Sequence, residues 1–181
     1  MSRDRSNLVW IDLETTGLSV ARHVILEIAS IVTDKDLRIV GEGPTLVVHH
    51  PDEVLDRADE WCVRQHGVTG LFDASRASDI SLREAEQQTL TFLRKHTHRK
   101  AAPLCGNSLF LDRRFLMRHM RDLNDHLSHR NIDVSSISEL AHRWFPGAAS
   151  RLDKTYRHRA ADDIRASIDE LRFYRQLIFK S

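Results

Sequence analysis

Cysteine is scarce in this chain. Cys62 and Cys105 are the only two, and neither belongs to a C-x-x-C pair. That argues against a disulfide framework and a cysteine-rich zinc site, and it fits reduced thiols in a cytoplasmic protein. Long apolar runs are missing too. No stretch approaches the length of a membrane span, and the opening MSRDRSN has no apolar core of a secretion signal. No G-x-G-x-x-G follows the first strand-like run, which disfavours a Rossmann domain, and there is no P-loop. An excess of one charge sign is also lacking. With 27 Lys and Arg against 26 Asp and Glu, the formal net charge is +1. This argues against an extended phosphate-tracking surface and leaves room for a small local site. Repeats, low-complexity tracts and linkers are absent, so residues 1–181 are expected to form a single domain.

What is present is globular material, 41% hydrophobic and 29% charged, enough to bury a core. Strand-like runs occupy LVWIDLE near the start, 24–33 (VILEIASIVT) and 37–48 (LRIVGEGPTLVV), the last two joined by the polar turn Asp34-Lys35-Asp36. Residues 52–66 read as a helix stopped by Gly67. Ser81 and Glu84 then form an S-x-x-E capping box at the start of another helix with apolar Leu82, Ala85, Leu90 and Leu93. A short strand over 102–107, a helix over 111–123, a strand over 131–136 and a short helix ending near Pro146 follow. The final helix runs from about Ala160 to Phe179. A three-strand meander followed by alternating helices and strands predicts an α/β domain on one mixed five-stranded sheet flanked by helices.

The segment IDLETTGL, residues 11–18, places two carboxylates in an apolar strand. Side chains alternate across a strand, so Asp12 and Glu14 project from one face. Two acids that close repel and lose solvation unless a cation offsets them. Two later segments supply partners. In the helix 111–123, Asp112 lies about 40° around the axis from Leu116 and about 60° from Phe115, on the inward side. In the last helix Asp163 borders the stripe Ala160, Ile164, Ile168, Leu171 and Ile178, whereas Asp162 falls on the polar face with Arg165 and Asp169. His158 stands just before that helix, positioned to overhang a site formed by these acids.

A lone D-x-E at a strand end is a weak signal, and a single inward Asp more often bonds backbone. The joint occurrence in three segments is what points to a metal centre. Asp12, Glu14, Asp112 and Asp163 are hard oxygen donors suited to Mg²⁺ or Mn²⁺. Two such ions about 3.5–4 Å apart can support phosphodiester hydrolysis, with Asp12 placed to bridge them. His158, whose ordinary pKa is near 6.5, is the candidate general base.

IDLETTGL, the Asp112 helix and HRAADD (158–163) together resemble the DEDDh exonucleases, named for four acids and a histidine. LVWIDLE-TGL, LEIA with VTD, EGPTLVVH, DEW at 59–61, CGNS followed by DRRF, and R-N-IDVSS-I-SEL-A-RW are similar to the oligoribonuclease branch of that family. They run in family order over nearly the whole chain. The resemblance implies a ribonuclease H-like fold, a homodimer, and release of 5′-mononucleotides from the 3′ end of very short single-stranded RNA. It implies that Leu18 and Trp61 wedge against the bases of a dinucleotide. It also implies that Ser108, Arg130 and Ser135 hold its 5′-terminal phosphate, Arg130 through charge-assisted bonds.

The chain departs from the family pattern in three places. Thr15 stands where the family has Met, which makes DLETTG look like the proofreading branch. His129 replaces a tyrosine that the family contributes across the dimer. The segment 147–157 matches poorly. Two rival readings stay open at this point: a proofreading-type or general single-strand 3′–5′ exonuclease, and a catalytically silent nucleic-acid-binding relative.

Overall fold

The computed structural model describes residues 3–149 and 159–179. The apolar N-terminal third folds into the meander. Strand β1 (Leu8–Thr15) pairs antiparallel with β2 (Ile25–Thr33), from Leu8 opposite Thr33 to Glu14 opposite Glu27. The turn after β2 closes on Asp34, whose Oδ1 accepts from the backbone N–H groups of Asp36 (2.8 Å) and Arg38 (2.9 Å). This is the side-chain-to-backbone bonding that favours Asp in turns.

The run 37–48 is two strands, not one, so the sheet has six strands where the sequence suggests five. Strand β3 (Ile39–Glu42) ends opposite Ile31, and β4 (Leu46–Val47) resumes opposite Ile28. Gly43 to Thr45 therefore face only Ala29 and Ser30, an extra residue that breaks the ladder at Pro44, which has no N–H to give.

Helices α1 (Asp52–Leu55), α2 (Glu60–Thr69) and α3 (Leu71–Ala77) follow. The expected single helix over 52–66 is broken at 56–59 and then runs through Gly67. Its terminator is Gly70, in the left-handed conformation at φ 70°, where a glycine pays no Cβ penalty. Helix α4 (Leu82–His96) opens on the expected capping box, with Ser81 and Glu84 each accepting from the other's backbone N–H.

Strand β5 (Leu104–Gly106) lies parallel to β1. The helix expected over 111–123 is divided at buried Met120 into α5 (Phe110–His119) and α6 (Arg121–His126). Strand β6 (Asn131–Asp133) stops three residues earlier than expected, because Asp133 accepts from the Ser135 N–H and caps α7 (Val134–Trp144). Short α8 (Pro146–Ala149) precedes the undescribed stretch, and α9 (Ala160–Ile178) follows it.

The sheet order is β3-β2-β1-β5-β6, with β4 beside β2. Alternation along β1 divides the core in two. Val9 and Ile11 pack with Leu90, Leu93, Phe115, Leu116 and Leu123 from α4, α5 and α6. Trp10 packs on the other face with Ala141 of α7 and Ile164, Ile168 and Tyr174 of α9. Helices cover both faces of β2, and all nine of its residues are buried, as a doubly covered strand requires. Among the described residues no helix is long and apolar enough to cross a membrane.

Candidate active site

Three acids meet where β1 faces α9. Asp12 and Glu14 follow Trp10 on the α9 side of the strand, and Asp163 reaches them from the first turn of the helix. One carboxylate oxygen from each lies within 4.8 Å of the others. Asp163 and Glu14 are buried, while Asp162 is half-exposed near Arg165, the division expected from the helix stripe. Across the β1–β2 ladder Asp12 stands opposite Ala29, a small residue that leaves space beside the carboxylate.

Asp112 approaches from α5. Strand β5 pairs with Val9 and Trp10 and ends at Gly106, so β1 outruns its neighbour. Asp112 Oδ1 accepts from the Leu13 N–H at 3.1 Å, where a strand carbonyl would otherwise stand. Gly106 permits this divergence: a Cβ there would lie 2.8 Å from Leu109 Cδ2 and 3.4 Å from the Ile11 carbonyl.

Burial sets the electrostatics, and charge crowding adds to it. Burial first, then the carboxylates of Asp112, Glu14, Asp163 and Glu27, pushes Asp12 well above the usual carboxylate range. Burial, with Asp163, Glu27 and Asp112, raises Glu14 to about 8, against a smaller lowering by Arg159. Burial also raises Asp112 to about 7, opposed by the backbone N–H bonds it accepts. Buried acids that repel one another with so little compensation form a donor set for hard divalent cations. The residues fit such ions.

Glu27 is the acid that the sequence reading missed. It is 0% exposed, opposite Glu14 in the ladder. Its carboxylate takes Arg159 Nη2 at 2.6 Å, Arg159 Nε at 3.2 Å and the Ala160 N–H at 2.9 Å, anchoring the start of α9. A single charge inside the apolar run VILEIASIVT was the available signal. His66 was likewise unassigned. It is buried, with Nε2 3.0 Å from the Thr15 carbonyl and 3.9 Å from Glu14 Oε2.

The remaining expected site residues fall into two groups. Leu18 is 70% exposed and Trp61 54% exposed. Both sit on a loop and helix start tied together by His23, whose Nε2 is 3.4 Å from Asp59 Oδ1, and by the Asp59 N–H bond to the Thr16 carbonyl. Gly17 lies between them, where any Cβ would strike Asp59 and His23. In the second group, the Ser108 and Ser135 hydroxyls stand 3.2 Å apart. Arg130 and His129 are exposed on the approach to β6. Arg130 makes no ion pair among the described residues. Thr15 bonds the Gly17 carbonyl through its hydroxyl. His158, the candidate general base, and most of the segment 147–157 lie outside the described residues.

This architecture is shared with exonuclease I. It superposes on exonuclease I of Methylocaldum szegediense with TM-score 0.73 at 19% identity, covering 96% of this chain and 41% of that one. For a zinc-bound complex of E. coli ExoI with ssDNA the TM-score is 0.75 at 16% identity, covering 97% and 41%. The chain thus spans about two-fifths of those longer proteins, and at such identities the likeness is of fold. A family model described as "Exonuclease" matches residues 9–171. Sequence relatives narrow the class. Oligoribonuclease of Acinetobacter baylyi is 50% identical over 98% of this chain and 97% of its own. For those of Pseudomonas putida and Haemophilus influenzae the values are 51% over 96% and 97%, and 48% over 99% of each. The chain belongs to the oligoribonucleases, 3′-to-5′ exoribonucleases of the DEDDh exonuclease family.

Proposed function

We propose that this enzyme hydrolyses very short single-stranded oligoribonucleotides, dinucleotides above all, to 5′-mononucleotides in the cytoplasm. Residues 1–181 act as one exonuclease domain, paired in a homodimer. The observation that carries the reading is the convergence of Asp12, Glu14 and Asp163 on one point, with Asp112 alongside.

Asp12, Glu14, Asp112 and Asp163 would hold two divalent cations, Mg²⁺ or Mn²⁺. Bound there, the ions would acidify an attacking water and offset charge on the leaving oxygen. The residues do the rest. Asp12, innermost on the strand, would be a ligand common to the site. His158 accepts the proton from the attacking water. Leu18 and Trp61, apolar and exposed, stack against the two bases. Ser108, Ser135 and Arg130 receive the 5′-terminal phosphate, and a pocket closed at that end favours the shortest substrates. A near-neutral chain, with Arg130 in no ion pair among the described residues, suits a ligand with few phosphates. Exposed Leu140, Trp144 and Phe145 on and beside α7 offer an apolar face for a second copy. His129, in place of a tyrosine, reaches toward the partner's substrate.

The test is a series of labelled RNAs: a dinucleotide, a pentanucleotide and a twenty-nucleotide strand, each with and without a 5′ phosphate. The 5′-phosphorylated dinucleotide is expected to be cut fastest. Asp163→Ala and Asp112→Asn are expected to remain folded and inactive. A rate flat or rising with length would instead favour the proofreading-type reading suggested by Thr15. Neither metal uptake by calorimetry nor turnover would leave a silent binding relative.

A further inference from the structure

A carboxylate lies at the end of the molecule where the terminal phosphate is expected. Asp133, the last residue of β6, opposes Gly106 in the β5–β6 ladder and sits beneath Ser108 and Ser135. A free carboxylate there would repel the phosphate. Its oxygens are committed, however. Oδ1 accepts from the Ser108 N–H at 3.1 Å and the Ser135 N–H at 3.0 Å, and Oδ2 from the Leu109 N–H at 3.0 Å. Three amide donors draw its charge inward.

These three bonds also fix the pocket's shape. Ser108 has φ 52°, a conformation that costs a non-glycine residue about 1 kcal/mol or more and persists only where its surroundings impose it. The Ser108 N–H is held from two sides, by Asp133 and by Ser135 Oγ at 3.0 Å. Ser135 Oγ in turn donates to Asn107 Oδ1 at 2.9 Å, and its hydroxyl can rotate toward a bound phosphate alongside the donors of Ser108 and Arg130. Leu109 is the N-cap of α5, whose third residue is Asp112. One side chain thus ties both serines to the helix that brings an acid to the metal site.

We propose that Asp133 is a positioning residue for the 5′-terminal phosphate, setting the Ser108 and Ser135 hydroxyls at a fixed distance from the acidic centre. The inference rests on the reading that those serines receive that phosphate.

The discriminating variant is Asp133→Ser. Serine retains the N-cap of α7 but is too short to hold the Ser108 and Leu109 amides. Two substrates are compared: the 5′-phosphorylated RNA dinucleotide, and the 4-nitrophenyl ester of thymidine 5′-phosphate, which has a scissile phosphate and no second nucleotide. The variant is expected to lose roughly 10–100-fold more kcat/KM on the dinucleotide than on the ester, whose rate reports any shift of the Asp112 helix, the excess being the scale of a small misplacement of binding groups. Asp133→Asn, which keeps the Oδ1 contacts, should fall between. An equal loss on both substrates would make Asp133 a structural cap and overturn the proposal, as would full dinucleotide activity. If the parent enzyme itself ignores the 5′ phosphate, the underlying reading fails first and the proposal with it. If Asp133→Ser fails to fold, the Asp133→Asn ratio decides by the same criterion.

Discussion

Glu14→Gln removes a charge and keeps the shape, and its effect on stability has a sign that depends on pH. In the metal-free protein burial and neighbouring acids raise Glu14 from 4.5 to about 8. A raised carboxylate pKa means that the folded state holds a proton the unfolded chain has already released. Stability is therefore unaffected below the unfolded value of 4.5, is lost as pH climbs, and levels off above about 8. At about 1.4 kcal/mol per pKa unit the full loss approaches 5 kcal/mol, and relaxation of the crowded acids brings a realistic figure to about 2–4 kcal/mol. Glutamine carries no such loss. In EDTA at about pH 8 the variant should melt roughly 4–16 °C above the parent, at about 2–4 °C per kcal/mol for a chain of this size, and the advantage should vanish toward pH 4.5. Saturating Mn²⁺ should reverse the order, because the parent gains binding energy through a ligand the variant lacks. Thermal melts followed by circular dichroism across this pH range would check it. A variant less stable than its parent at pH 8 without metal would refute the reasoning, and so would a difference that ignores pH.

Glu27→Gln should behave oppositely at the facing ladder position. It breaks a buried, multiply bonded pair with half-exposed Arg159, so melts should show a loss of about 1–3 kcal/mol near neutral pH, with or without metal. Trp61→Ala should raise KM for an RNA dinucleotide about 5–100-fold, the range of one lost base stack, with kcat little changed in steady-state assays. Ser81→Ala removes the α4 capping box and should cost about 1 kcal/mol, a melting shift of about 2–4 °C, while room-temperature activity stays as in the parent.

The strand acids were legible because period-2 alternation is local: nothing distant is needed to know that Asp12 and Glu14 share a face. Asp163 was separable from Asp162 for the same reason, since the stripe from Ala160 to Leu171 fixes which side of α9 is buried. The capping box could be read outright, two residues satisfying each other's amides. What could not be read depends on partners remote in sequence. Gly67 looked like a helix stop, but only the backbone path shows that the left-handed terminator is Gly70. Residues 134–136 have strand-like composition until Asp133 is seen capping them into a helix. Glu27 reads as an oddity in an apolar strand, and its role as anchor for α9 needs Arg159, more than a hundred residues away.

The early end of β5 has a practical consequence for mutagenesis. Asp112 fills the gap that a longer β5 would occupy and also pushes up the pKa of Asp12 in the cluster. Truncating its side chain opens the sheet edge and the acidic centre together, so an inert alanine variant would have two causes that assays cannot separate. An amide at this position still offers an oxygen to the Leu13 N–H, which makes asparagine the substitution that isolates the chemistry from the architecture.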